Sequence, residues 1–540
     1  MRSGQVSGGA SGKSEANLSK LRSTTDCVAK SYTKMMLFQL PGSLPLIGCL
    51  CCLPLVVSYD NGAPGSRLPV MGWSSWVALG PAASHPIFDY CDEASVKHAA
   101  DALVSLGLRD AGYRGFHLDD CWADVKRNGS GYLQAELDHF PNTLQPVISY
   151  VHSKGLDFGL YTCAGSHTCV GGRPGSKNHS TKDAAVFAEW QVDWVKQDNC
   201  NTDGMGHPAD YYKLMSNAMN KTGRPMNFAM CEWGKDAPWV WGNKIAQSGR
   251  MSGDHTGVWS STKSIIAHSA SIPAANTGVE YYWNDMDMLE TGNYGQAAHA
   301  NGRESNMSAA EYKTEFSMWA ISASPLVVTT PIMNCSASEP LAEPPSNTLR
   351  SASSPSSICN IKLRKQFSTE KCIKGLTFGC FDSSNGTMWT KNGCQGNFIV
   401  DGASVLCNTT INETKGTQYC NPVNCVPWIS DLQKEILLNT DVIAVNQDTT
   451  PQGRPIVDND LSVWGRTLSN GDVAIALYNQ EDQKKNIGFD LRQVGYSKED
   501  VVCARDLWRH VDVSSLIKNG VFVNQTVDQH STMMIRLSKC

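Results

Sequence analysis

"VDWVKQDNC", residues 192–200, begins as a buried strand and ends as something else. Val192, Trp194 and Val195 suit a strand interior, but Lys196, Asp198 and Cys200 then follow at every second position. Side chains alternate along a strand, so these three share one face. A core face should be dry. A lysine and an aspartate on it mark a strand end that opens onto a polar site.

The same grammar recurs along the chain. "LPVMGWSSW" (68–76), "YRGFHLDDCW" (113–122), "LDFGLYTCAG" (156–165) and "MNFAMCEWG" (226–234) each pass from apolar to polar. So do "QSGRMSGD" (247–254), "VEYYWNDMDML" (279–289) and "SPLVVTT" (324–330). Between them lie amphipathic stretches such as 93–113, with Val96, Ala99, Leu103 and Leu106 at helical spacing. The stretches 143–155 and 210–223 each end in glycine, a common helix stop. Eight strand-then-helix units in this length predict an α/β fold, a (β/α)8 TIM barrel rather than an open sheet.

The flanking segments differ in composition. Residues 1–34 are polar and basic, and residues 35–58 are apolar and uncharged, a pairing that predicts a secretory signal with translation starting at Met35 or Met36. Retention as a membrane anchor is the alternative, weakened by Pro41, Pro45 and Pro54. Nine Asn-X-Ser/Thr sequons follow residue 60, at Asn128, Asn178, Asn220, Asn306, Asn334, Asn385, Asn408, Asn412 and Asn524. With 16 of the 20 cysteines beyond the same point, they favour a secretory route and disulfides, ending outside the cell or in a lysosome or vacuole. Residues 333–430 hold eight of those cysteines among Ser, Asn, Thr and Gly and read as a loop-rich, disulfide-stapled insert. From residue 449 onward short β-rich runs joined by Asn470-Gly471 predict an antiparallel β-sandwich. The expected order is therefore a leader over 1–60, the barrel over 61–332, the insert over 333–430, a last barrel helix region over 431–448, and the sandwich over 449–540.

Net charge is −5 over 540 residues, with no basic field to attract nucleic acid. No Gly-rich phosphate loop and no GxSxG elbow is present. His117 and His255 are the only histidines near strand ends, and HExxH is absent, so no metal or cofactor is expected. What the strand ends do carry is carboxylates: Asp119, Asp120, Asp198, Glu232, Asp254, Asp285 and Asp287, with Lys196, Arg250 and Tyr161. Helix N-capping accounts for two or three such acids, not for all of them. Carboxylates accept hydrogen bonds from sugar hydroxyls, and two of them across a pocket can cleave a glycosidic bond.

These stretches, with "DVIAVNQD" (441–448), resemble the signature segments of glycoside hydrolase family 27, the α-galactosidases and α-N-acetylgalactosaminidases. The resemblance covers about 68–332 and 431–540. It implies a retaining hydrolase with Asp198 as nucleophile and Asp254 as acid/base, about 5 Å apart as double displacement demands. It places Asp119 and Asp120 on the sugar's outer hydroxyls, Trp76 on the pocket floor and Tyr161 beside the nucleophile. Arg250 falls near the 2-hydroxyl, and Asp287 with Met288 on the far wall. Lys196, on the face of Asp198, should favour its ionised form. Cys231, Glu232 and Trp233 leave little room for a 2-acetamido group, which favours galactose. A β-L-arabinopyranosidase and an inactive sugar-binding relative are the other readings. The resemblance also implies the disulfides Cys169–Cys200 and Cys91–Cys121. Similar chains have only a short loop in place of the insert; because it follows the eighth strand, it is expected near the pocket mouth, where it would bind longer substrates, join protomers into a homo-oligomer or merely shield a loop.

Overall fold

The computed structural model describes residues 59–63, 66–78, 91–170, 172–277, 281–293, 306–336, 360–380, 387–400, 403–407, 417–420, 424–457 and 460–540. Residues 1–58 of the expected leader, and the sequons at Asn385, Asn408 and Asn412, lie outside them.

Eight parallel strands form one sheet: β1 (Met71–Ser74), β2 (Gly115–Leu118), β3 (Asp157–Cys163), β4 (Trp194–Asp198), β5 (Asn227–Cys231), β6 (Ser248–Arg250), β7 (Trp283–Asp285) and β8 (Leu326–Val328). Their spatial order is sequential from β7 down to β1, with β8 beside β1. A parallel bridge between Leu289 and Val328 brings the chain after β7 against β8 and joins the two ends of the sheet. Each of the eight apolar runs of the sequence contributes one strand.

The helices that cover the sheet are α1 (Ser75–Ala78), α2 (Glu93–Ser105), α3 (Gln145–Ser153), α4 (Ser180–Glu189), α5 (Pro208–Lys221), α6 (Pro238–Trp241), α7 (Trp259–Ser271) and α8 (Ala309–Ile321). Their caps come from residues other than the strand-end acids. Asp92 caps α2 by accepting from Ser95 N, His207 caps α5, and Ser308 with Glu311 forms a capping box on α8. Asp119, Asp198, Asp254, Asp285 and Asp287 cap none of these helices, which frees them for the barrel mouth.

The insert is more regular than its composition suggests. Two three-stranded antiparallel sheets, built from segments between Ile361 and Cys420, surround a small core with Phe378, Met388, Phe398 and Val405. Disulfides Cys372–Cys394 and Cys407–Cys420 staple it. Strands Met333–Ser336 and Asn424–Pro427 pair antiparallel, so the insert leaves and rejoins the barrel through one two-stranded stem. That stem packs against α2, and Lys362 pairs with Asp138. The two helices α9 (Asp431–Leu437) and α10 (Thr440–Asn446) follow.

The C-terminal domain is a β-sandwich of a six-stranded and a three-stranded antiparallel sheet. The hairpin at Asn470-Gly471 joins Asp460–Thr467 to Val473–Tyr478, with Gly471 at φ 89°. Its core gathers Ile475, Leu477, Phe489, Phe522 and Ile535, and Cys503–Cys540 ties its last strand to a neighbour.

Candidate active site

All eight strands point one chemistry-bearing end at the same hollow. A cavity of about 180 Å3 is lined by Trp76 after β1, Asp119 after β2, Tyr161 of β3, and Lys196 and Asp198 of β4. Trp233 after β5, Arg250 and Asp254 from β6, Asp287 and Met288 after β7, and Thr329 after β8 complete the ring. This is the carboxyl-terminal mouth of the strand cylinder, where loops are free to vary over a rigid base.

The register explains the wall around Asp198. On β3 and β5 its lateral neighbours are Cys163 and Cys231, and those of Lys196 are Tyr161 and Ala229. Tyr161 OH donates to Asp198 Oδ2 at 3.1 Å, and the backbone N–H of Asn199 donates to Oδ1 at 2.9 Å. Burial raises the phenol well above its usual range, so it stays protonated as a donor. Both oxygens of Asp198 are thus fixed while the residue is only 7% exposed.

Lys196 pulls the Asp198 pKa down, as expected from their shared face, but its direct partner is another carboxylate. Its Nζ pairs with Asp119 Oδ2 at 2.9 Å and lies over the Tyr161 ring, and no hydrogen bond joins it to Asp198. Burial disfavours its charge, but Asp119 and Asp198 more than compensate and its pKa is raised. For Asp198 burial outweighs the ammonium: the carboxyl is pushed up to about 6, with Lys196 and the Asn199 N–H pulling it back and the charges of Asp254 and Asp119 adding to the rise. An ammonium on the same face is therefore insufficient to depress a carboxyl that has lost its water.

A second charge cluster holds Asp254. Arg250, 4% exposed, donates through Nη2 to Asp254 Oδ1 at 3.1 Å and pairs through Nη1 with Asp287 Oδ1 at 2.7 Å. Asp287 Oδ2 accepts from the backbone N–H of His255 at 2.6 Å, which closes a loop back to Asp254. Asp254 itself is 52% exposed, the opposite of Asp198.

A family model described as alpha galactosidase A matches residues 68–341, and one described as the alpha galactosidase C-terminal beta sandwich domain matches 458–537. An α-galactosidase of Oryza sativa subsp. japonica is 31% identical over 486 residues, covering 89% of this chain and 87% of its own. The chain belongs to the melibiase family, glycoside hydrolase family 27. Another member, the α-galactosidase of Cyamopsis tetragonoloba, is 31% identical over 484 residues, with 89% and 88% covered. Among solved structures, α-galactosidase I from Mortierella vinacea superposes with a TM-score of 0.62 at 24% identity, covering 89% of this chain and 99% of its own. A β-L-arabinopyranosidase from Geobacillus stearothermophilus superposes at 0.60 and 17%, with 88% and 97% covered. At those identities the two structures speak for the shared fold.

Within this melibiase chain not every nominated residue reaches the cavity. Asp120 turns away: its Oδ2 accepts from Val170 N at 2.9 Å and its Oδ1 lies 3.8 Å from Arg173, so it braces the loop after β3. Glu232 follows inward-facing Cys231 and falls on the other side of the backbone. It is 0% exposed, accepts from Asp236 N, and is pushed up to about 7 by burial. Cys231 lines a deeper chamber of about 30 Å3 beneath the main cavity, together with His117, Trp194 and Asp285, and its Sγ accepts from Arg250 Nη1 at 3.6 Å. Trp233 reaches the main cavity because its backbone is left-handed, at φ 63°.

Disulfides Cys169–Cys200 and Cys91–Cys121 are formed. The first places both its cysteines on the cavity wall and ties the loop after β3 to the one after β4. Cys163 and Cys231 are the free cysteines among the described residues, both buried. Glu290 and Val170 also line the cavity and escaped the sequence reading, and His255, which the sequence marked only as a strand-end histidine, lines it too. Glu290 and His255 each follow a strand-end acid closely, which was the available signal. No described residue of the insert lines the cavity; its stem packs on the flank of the barrel.

Proposed function

We propose that the chain is a retaining α-galactosidase that removes terminal α-linked galactose through a covalent galactosyl-enzyme intermediate. The observation that carries the reading is the contrast between two carboxylates of one cavity. Asp198 is 7% exposed with both oxygens anchored, while Asp254 is 52% exposed at the open side. A nucleophile must be rigid and dry, whereas an acid/base must meet the departing group, water and solvent protons.

In the first step an Asp198 oxygen bonds to the anomeric carbon as the glycosidic C–O bond breaks. Asp254 gives its proton to the departing oxygen. In the second, Asp254 takes a proton from water, and the oxygen of that water replaces Asp198 at carbon. Asp119 and Lys196 would grip outer hydroxyls, Trp76 would lie under the apolar sugar face, and Arg250, Asp287 and Met288 would bound the 2-position side. Trp233 on the cavity wall supports galactose over its 2-acetamido analogue, and the relatives' names support α-galactoside hydrolysis.

A fluorinated galactosyl donor followed by peptide mass spectrometry should label Asp198. The enzyme should cleave nitrophenyl α-galactoside and leave the N-acetyl analogue intact. Label on another residue, or preference for the acetamide, would refute the assignment.

A secretory route completes the proposal. Asn128, Asn178, Asn220, Asn306, Asn334 and Asn524, the sequon asparagines within the described residues, are all exposed. No helix among the described residues is long and apolar enough to cross a membrane.

A further inference from the structure

Behind Asp254 lies a buried polar network that the two-step reaction leaves without a task. His255, next in the chain, is 1% exposed. Its Nε2 lies 2.9 Å from Glu315 Oε1, its Nδ1 lies 3.0 Å from Ser261 Oγ, and its ring leans on Trp319 with centroids 5.3 Å apart. Glu315 projects from α8 and is fully buried. Its Oε1 also accepts from Glu290 N at 2.9 Å, and its Oε2 accepts from Thr291 Oγ1 at 3.0 Å.

One carboxylate therefore fastens three parts of the barrel. Through His255 it holds the loop that carries Asp254. Through Glu290 and Thr291 it holds the loop that carries Asp287 and Met288. Its own backbone belongs to α8. The charged or titratable groups that face this knot are Glu290 and Asp287 from the β7 loop and Arg250 from β6, the last through Asp287. An apolar pair would fill such a site without desolvating a carboxylate, so packing alone does not call for it. Its attachment is to the residue that follows the half-exposed Asp254, and not to β4, which bears Asp198.

We infer that Glu315 and His255 are positioning residues for Asp254, so that Glu315 governs protonation of the departing oxygen and not attack by Asp198. The inference rests on the α-galactosidase reading above. Its consequence is selective. A leaving group that is stable as an anion departs without a proton, whereas an alkoxide departs only as the alcohol. Displacing Asp254 must then slow poor leaving groups and spare good ones.

The test compares kcat/KM, which reports the first chemical step, on dinitrophenyl α-galactoside and on melibiose. The variants are Glu315→Gln and Glu315→Asp, the second keeping the carboxylate but shortening its reach to His255. We expect folded proteins that retain the dinitrophenyl reaction within about 3-fold and lose the melibiose reaction by about 30-fold or more, a part of the roughly 100- to 10,000-fold that general acid catalysis contributes. The basic limb of the melibiose pH profile should also move. Equal loss on both substrates, loss on neither, or loss confined to the dinitrophenyl substrate would overturn the inference. So would failure of both variants to fold, which would make the pair a folding element. If the wild type cleaves neither substrate, the function reading fails first, and the two failures are thereby told apart.

Discussion

At the scale of single residues the site trades stability for reactivity, and Asp198 shows the trade with a sign. Burial raises its folded-state pKa to about 6, against about 3.9 for an aspartate in an unfolded chain. Below pH 4 both states hold the proton and the group is neutral to folding. As pH climbs from about 4 to about 6 the unfolded chain ionises first, so folding loses stability, and above 6 the loss is constant. Replacing Asp198 by Asn removes the charge and keeps the shape. Asp198→Asn should therefore be inactive yet more stable than the parent at pH 7 by about 1–3 kcal/mol, with the gain vanishing near pH 4. Thermal melts of both proteins across that range check this. A variant less stable than the parent at pH 7, or a gain that persists at pH 4, would show that Asp198 carries no buried-charge penalty.

At the scale of elements the strands and their ends could be read from the sequence, and the turns that aim side chains could not. Eight apolar runs gave eight strands because a parallel strand buried on both faces must be apolar until it reaches the mouth. Asp119, Lys196, Asp198, Arg250 and Asp287 line the cavity because alternation and end position bring them there. Asp120 and Glu232 do not line the cavity because each follows an inward-facing residue, Asp119 or Cys231, and falls on the other side of the backbone, where a loop's own hydrogen bonds hold it. The strands of the insert were hidden by its Ser- and Asn-rich composition and, for Ile361–Gln366 and Thr417–Cys420, by partners some way along the chain. The loop after β5 makes this testable. Gly234 sits at φ 73°, and a Cβ there would lie 1.9 Å from Met251 O, on the segment between Arg250 and Asp254. That clash is with backbone and cannot be relieved by a rotamer. Gly234→Ala should shift Trp233 and the Asp254 loop together and reduce kcat/KM on nitrophenyl galactoside by about 10-fold or more. Gly223, at φ 76° with open space around it, is the control. Gly223→Ala should cost only about 1 kcal/mol of stability and leave activity intact. Equal effects of the two changes on activity would sink the steric account.

At the scale of the whole molecule the sandwich is a wall of the barrel and not an appendage. Its strand Val473–Tyr478 is buried on both faces. Val473, Ile475 and Leu477 enter the sandwich core, while Ala474, Ala476 and Tyr478 join the barrel's own hydrophobic cluster with Trp464, Leu507 and Met534. Polar contacts reinforce the seam on α8, the helix that bears Glu315. His530 bonds Glu311 and stacks on Trp259 at 4.5 Å, its carbonyl accepts from Thr314, and Trp508 Nε1 donates to Ser317 Oγ at 2.9 Å. Glu311 and Glu315 are one turn apart, so the sandwich grips the same helix whose Glu315 bonds His255 on the Asp254 loop. A shared apolar cluster cannot open on one side alone without exposing the other. Calorimetry should accordingly show barrel and sandwich unfolding in one transition, and a chain ended after Gln447 should bind a hydrophobic dye or precipitate. Two resolved transitions, or a soluble shortened chain with a cooperative melt, would show that the barrel closes its own surface and that the sandwich is a passenger.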